Sequence, residues 1–247
     1  VFIDFGPGGQ NKLRGNNPDV DFNGLSRMGD DGTGNGLTFD AGFEADFYVT
    51  TTCGGGPFST YANTSQILTK GGGTGEYIGS GGAGAAILLG SNGTLVGYNN
   101  SNVLGVLGGT GAGDGTGIST GVEFAIPVSL FAGYDGVSDI KVCAFVNGGG
   151  HDFVSNQVAA SVSGGNLGEP RNVNFSLVKG NQYFVVTAGG GGGTGCTGDV
   201  NNDLVVDASD LAFVLGAWGT PDVDLNGDQT TDATDLAIVL GAWGACP

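Results

Sequence analysis

Two periods of apolar and polar residues divide the chain. Through residue 187, short apolar runs alternate with Gly, Asn and Asp turns: VFIDF at the start, FEADFYVTTT (43–52), AAILLG (85–90), GTLVGY (93–98), VEFAIPVSLF (122–131), DIKVCAFVN (139–147), NVNFSLV (172–178) and QYFVVTA (182–188). In DIKVCAFVN, Ile140, Val142, Ala144 and Val146 share one face, and Lys141, Cys143 and Phe145 share the other. A period of two over such short runs marks half-buried strands, and many of them at close spacing predict an antiparallel β-sandwich. After the Gly-rich tract AGGGGGTG (188–195) the period lengthens. Leu211, Val214, Leu215 and Trp218 fall at i, i+3, i+4 and i+7, as do Leu236, Val239, Leu240 and Trp243. Each set predicts a short amphipathic helix that ends at a glycine, Gly219 or Gly244. The expected organisation is a β-sandwich domain over 1–187, a flexible linker over 188–195 and a small all-α module over 196–247.

The module is an internal repeat. GDVNNDLVVDASDLAFVLGAWG (198–219) returns as VDLNGDQTTDATDLAIVLGAWG (223–244). Counted from the first Asp of each copy, Asp199, Asn201, Asp203, Asp207 and Asp210 occupy positions one, three, five, nine and twelve. Asp224, Asn226, Asp228, Asp232 and Asp235 occupy the same positions. This is the spacing of an EF-hand-like calcium loop, with the carbonyls of Val205 and Thr230 at position seven. Ca2+ takes six to eight oxygen ligands, and alternate residues of a tight loop point inward to supply them. Four carboxylates converge in each copy. Two like charges 4 Å apart repel by about 1 kcal/mol in water and about 4 kcal/mol at an effective dielectric of about 20. Cation binding and folding are therefore expected to be coupled, and an all-oxygen donor set disfavours zinc and copper.

Charge sharpens this reading. The 247 residues carry 24 acids, seven bases and 53 glycines, a net −17. Residues 196–247 hold nine Asp and no Lys or Arg. A chain this acidic is unsuited to nucleic acid or anionic lipid, and no apolar run is long enough to span a bilayer. No Met or signal peptide precedes Val1, which starts within a predicted strand, so a processed chain with sequence removed upstream is expected. Four Cys without a C-x-x-C pair point to disulfides rather than zinc. Of three connectivities, Cys196–Cys246 with Cys53–Cys143 is preferred, because the first pair brackets the repeat. Closing that loop contributes roughly 4 kcal/mol in the chain-entropy model. Secretion, to the medium or the cell surface of a bacterium, is the expected localisation.

The tandem loop–helix units of residues 197–245 resemble a type I dockerin. Leu204 and Gln229 replace the usual glycine at position six, and Ala208-Ser209 and Ala233-Thr234 follow position nine. The resemblance implies a cohesin as partner. GVEFAIPVSLF and DIKVCAFVNGGGHDFVSNQV resemble late strands of DOMON-like sandwiches and carbohydrate-binding modules of bacterial secreted proteins, a jelly-roll or DOMON-like expectation for residues 1–187. A further Ca2+ candidate lies near Asp19–Asp46: Asp19, Asp21, Asn23 and Asp30 match positions one, three, five and twelve, with Arg27 at position nine. His151, the only histidine, is read as a solvent-facing turn residue, and haem is disfavoured with Met28 the only Met. No Gly-x-Ser-x-Gly elbow or recognisable acid/base pair is present, so no catalytic residue is assigned. The expected function is that of a non-catalytic, calcium-binding extracellular structural protein that assembles with itself or the cell surface. Assembly would use sheet edges and the C-terminal module. The alternatives are a carbohydrate-binding module carried on a dockerin and a cohesin-binding subunit. Glycan contact would fall to Tyr48, Tyr61, Tyr77, Tyr98, Tyr134 or Tyr183, both Trp being committed to the helices.

Overall fold

In the computed structural model the described residues are all but 21–23, 100, 102–119, 161, 163, 187–196, 202–204 and 246–247. The chain forms two compact units, one of Val1–Tyr134 with Lys141–Phe184, the other of Asp135–Ile140 with Val185–Pro247. The fold is mainly β, with antiparallel sheets. In chain order the elements are β1 (Phe2–Asp4), α1 (Gly24–Met28), β2 (Phe47–Gly54), β3 (Ser59–Gln66), β4 (Gly75–Gly81), β5 (Ala85–Leu89), β6 (Leu95–Asn99) and β7 (Gly121–Ala125). They continue with β8 (Ile140–Cys143), β9 (Phe145–Asn147), β10 (Val154–Val158), β11 (Phe184–Val186), β12 (Val205–Val206), α2 (Ala208–Gly216), α3 (Ala233–Gly241) and β13 (Gly244–Ala245).

One six-stranded sheet runs in the order β11-β8-β1-β2-β3-β4. The eight residues of β2 pair antiparallel with β3 without interruption, from Phe47↔Gln66 to Gly54↔Ser59. A second sheet, β5-β6-β7, puts Leu88, Val96 and Tyr98 in one buried cluster with Ala62 of β3 and Ile78 of β4. The larger core is aromatic. Phe2 lies 4.9 Å from both Phe39 and Tyr48 and stacks on Phe145 at 5.8 Å, while Phe43 and Phe175 extend the cluster. Edge-on and offset aromatic pairs contribute about 0.5–1.5 kcal/mol each beyond their buried area. Backbone segments cross closely where side chains are missing: a Cβ at Gly15 would lie 2.1 Å from the Asp30 carbonyl oxygen.

Several expectations change. NVNFSLV is not a strand but two 3-10 turns, Pro170–Asn172 and Phe175–Leu177, because Glu169 and Asn174 turn their side chains onto the N–H groups two residues on. DIKVCAFVN breaks at Ala144, so β8 joins the six-stranded sheet and β9 pairs with β10 instead. Cys53 and Cys143 are both free. Cys143 lies opposite Phe2, which lies opposite Tyr48, and Cys53 is five residues further along β2. At ~3.4 Å per residue that separation far exceeds the ~7 Å Cα limit of a disulfide. Cys196 and Cys246 lie outside the described residues, as does the linker.

The C-terminal region is not all-α. Beside α2 and α3 it contains an antiparallel ribbon, Val205↔Ala245 and Val206↔Gly244. The helices end at Gly216 and Gly241, three residues short of the expected Gly219 and Gly244, with Ala217 and Ala242 as their C-caps, and they sit one residue out of the expected phase. Val206, Val214 and Val239 form the fully buried centre, with Leu211, Leu236, Val223, Leu225 and Ala242 packed around it. The stripe that faces inward on α2 is Asp210, Val214 and Ala217, and Asp235 and Val239 face inward on α3. Leu215, Trp218, Leu240 and Trp243 are turned out, each about half exposed. The reason is the aspartate: its carboxylate closes the preceding loop, and that fixes the helix rotation.

Candidate metal centre

The second loop, residues 224–235, is described in full. Asp224 at position one gathers the turn: Oδ1 accepts the N–H of Gly227 (2.7 Å) and Asp228 (3.1 Å), and Oδ2 accepts that of Gln229 (2.6 Å). Gln229 at position six adopts φ +70°, the left-handed conformation that normally calls for glycine. Asn226 Oδ1 accepts the Asp228 N–H (3.0 Å), and Asp228 Oδ1 accepts that of Thr230 (3.0 Å). The side chains at positions one, three and five thus each curl back onto the loop, as short Asx turns do. Thr231 anchors its base. Its N–H donates to the Thr220 carbonyl (2.6 Å), and its hydroxyl accepts the Val223 N–H (3.1 Å).

Helix α3 starts from the same residues. Asp232 is its N-cap and accepts the Thr234 N–H at 2.7 Å. Asp235, buried to the last atom, accepts the N–H groups of Leu225 (2.7 Å) and Asn226 (3.2 Å) on Oδ1 and of Asp232 (2.8 Å) on Oδ2. Asp207 and Asp210 reproduce this in the first copy. Ser209 donates to Asp207 at 2.7 Å, Val200 (2.7 Å) and Asn201 (3.1 Å) donate to Asp210 Oδ1, and Asp207 (2.8 Å) donates to Oδ2. Both helices therefore carry a reciprocal capping box with Asp in the role usually held by Glu or Gln. Burial alone would push the Asp210 carboxyl up, but the N–H groups of Asp207, Asn201 and Val200 outweigh it and hold it below the ordinary range. Asp235 is lowered too, first by the Asp232 N–H.

The side chains at positions one, three, five, nine and twelve offer carboxylate or amide oxygens, and residues 196–247 contain no Lys or Arg. The donor chemistry and the backbone course both fit a hard, oxygen-seeking divalent cation. Of the twelve expected ligands, Asp203 lies outside the described residues. Val205 sits on β12, and Thr230 ends the turn at position seven. Asp224 and Asp235 here face backbone N–H groups rather than one shared point. Among the described residues no three or more His, Cys, Asp or Glu side chains converge.

The other candidates fare differently. Asp19 accepts the Ser26 N–H (2.7 Å) and Asp30 those of Gly32 and Gly34, while Asp21 and Asn23 lie outside the described residues. Arg27 is paired, bidentate, with Glu169 at 2.5 Å. His151 is buried, not solvent-facing. At φ +54° its ring lies between Asn147 Nδ2 (2.8 Å) and Thr52 Oγ1 (3.4 Å), a packing role that turn composition does not reveal. Tyr48 and Tyr98 are buried in the two cores, whereas Tyr61 and Tyr77, on neighbouring strands, are exposed. Among the described residues no helix is long and apolar enough to cross a membrane. Comparison with protein-family models, with curated proteins and with solved structures gave no match for this chain.

Proposed function

We propose that the protein is a non-catalytic, extracellular, calcium-binding structural protein. Its six-stranded and three-stranded antiparallel sheets form a β-sandwich, and a dockerin-like pair of calcium loops follows. One observation carries the reading: an uninterrupted twelve-residue loop whose position-one Asp collects three turn N–H groups, whose position-six residue is left-handed, and whose position-twelve Asp closes onto the next helix. Positions nine and twelve repeat it in the first copy. Asp199, Asn201, Asp203, Asp207 and Asp210 with the Val205 carbonyl would hold one Ca2+. Asp224, Asn226, Asp228, Asp232 and Asp235 with the Thr230 carbonyl would hold the other. The bound cations would supply no chemistry beyond charge neutralisation and a fixed loop shape.

Self-assembly fits the remaining surface. β4 and β7 are sheet-edge strands without Lys or Pro, two of the devices that usually blunt an edge, and each carries one charged residue, Glu76 or Glu123. The exposed Tyr61 and Tyr77 favour the second reading, a glycan-binding sandwich, which predicts that Tyr77→Ala abolishes binding on a glycan array. The calcium reading is tested by titration calorimetry. Two Ca2+ per chain are expected, with dissociation constants no weaker than about 10⁻³ M, the range of extracellular modules. Asp224→Asn should remove one site. A chain that takes up no Ca2+ at millimolar concentration refutes it.

A further inference from the structure

The rotation that buries Asp210 and Asp235 leaves two matching ridges uncovered. Leu215 and Trp218 are 54% and 48% exposed, and Leu240 and Trp243 are 54% and 50% exposed. These are the only two Trp residues of the chain, and both occupy the same place in the repeat. Their equal exposure in both copies sets them apart from singly scattered apolar surface residues. Trp is also the residue most enriched where binding energy concentrates.

We propose that these ridges, each made by the last turn of a helix and the Trp just beyond its end, are the docking surface for the same ridges of a second copy of this chain. The area supports this occupant. Half of an aromatic side chain's buried surface is roughly 100 Å2, and half of a leucine's is roughly 50–75 Å2, so each unit offers roughly 350 Å2. Two units then bury roughly 700 Å2 of apolar surface. A protein interface at the small end of the standard range buries about 1,200 Å2, of which about 57% is non-polar, again roughly 700 Å2. Because that area uses both ridges of each unit at once, the proposed contact is a closed two-fold pair.

The inference rests on the calcium reading. Residues 196–247 carry nine Asp and no base, so two metal-free units repel. Two Ca2+ lower the net charge from −9 to −5, and docking should strengthen accordingly.

Sedimentation velocity of the full chain from about 1 to 200 μM, in Ca2+ and in EDTA, tests this. Concentration-dependent association is expected in Ca2+, weakened at least tenfold in EDTA. The Trp emission should shift to the blue with protein concentration. Trp218→Ser/Trp243→Ser and Leu215→Ser/Leu240→Ser should each weaken association at least tenfold while calorimetric Ca2+ binding and helical circular dichroism persist. The two pairs guard against a variant that simply unfolds. Calcium binding by a chain that stays monomeric throughout, or a wild-type emission shift produced by added oligosaccharide without association, overturns the docking proposal and leaves the calcium reading standing. Association that is equal in EDTA overturns the calcium coupling. Absence of calcium binding removes the premise.

Discussion

Asp46 offers a sharp test of the electrostatics of the larger unit. Its carboxyl is pushed up from 3.8 to about 6, chiefly by burial. The Phe5 N–H, which donates to Oδ2 at 3.0 Å, acts against the rise, and the nearby charges of Asp4 and Glu44 add to it. A carboxyl that is harder to ionise in the folded state binds its proton more tightly there, so it opposes folding once the unfolded chain has released that proton. The penalty is absent below pH 4, grows as pH rises from about 4 to about 6 and is constant above. A shift of about two units corresponds to about 3 kcal/mol. Asp46 is only partly buried, and solvent screening reduces this to about 1–1.5 kcal/mol. Asp46→Asn keeps the shape and the acceptor for Phe5 while removing the charge. The melting temperature of the larger unit should rise by about 3–5 °C at pH 7.5 and by less than about 1 °C at pH 4. Scanning calorimetry at the two pH values reads this directly. A variant equally stable to wild type at pH 7.5, or one shifted by the same amount at both, would refute the assignment of the penalty to ionisation of this group.

Two other substitutions probe the calcium unit. Gln229→Gly relieves a left-handed backbone strain of about 1 kcal/mol against a chain-entropy loss of roughly 0.5 kcal/mol; a slightly higher melting temperature and a tighter Ca2+ titration at the second loop are expected. Val239→Ala deletes two methyl groups from a site with no exposure and should destabilise by about 2–3 kcal/mol. With only three valines in the fully buried centre, that should abolish calcium-dependent helical circular dichroism at 37 °C.

The strands legible in the sequence were those with large alternating residues, and β2, β5, β6 and β7 overlap the segments that hydropathy marks to within two residues at the ends they overrun. β3 and β4 do not. The buried positions of β3 are Thr60, Ala62, Asn63, Thr64 and Ser65, small and mostly polar, so the strand is buried without being hydrophobic. Its backbone pairs on both sides, with β2 and β4, which meets the cost of burying it. The Cys53–Cys143 pairing failed because it was simply the pair left over beside Cys196–Cys246, whereas the distance between the two is set by strand order, and order among distant segments leaves no local trace. The helix phase failed by one residue for a related reason. Hydropathy ranks Asp210 and Asp235 as the most solvent-seeking residues of their helices, yet each has three backbone donors waiting for it.

Those two aspartates also decide how the loops and the helices depend on one another. Their carboxylates are compensated by backbone N–H groups drawn from both ends of each loop, so α2 and α3 can form only when the loops have closed. The loops close against the charge of the remaining Asp residues at positions one, five and nine, and residues 196–247 offer no ammonium or guanidinium to offset them. Hydrogen bonds orient these groups without neutralising them. A divalent cation would remove the opposition at the step on which the helices depend. The valine centre alone is too small to impose the fold, since the burial of three valines contributes only several kcal/mol against the ordering of some fifty residues. On the proposed calcium reading, folding of this unit is coupled to binding of the cation. On the same reading the outward ridges would form fully only with calcium bound, so the proposed association would follow the calcium concentration.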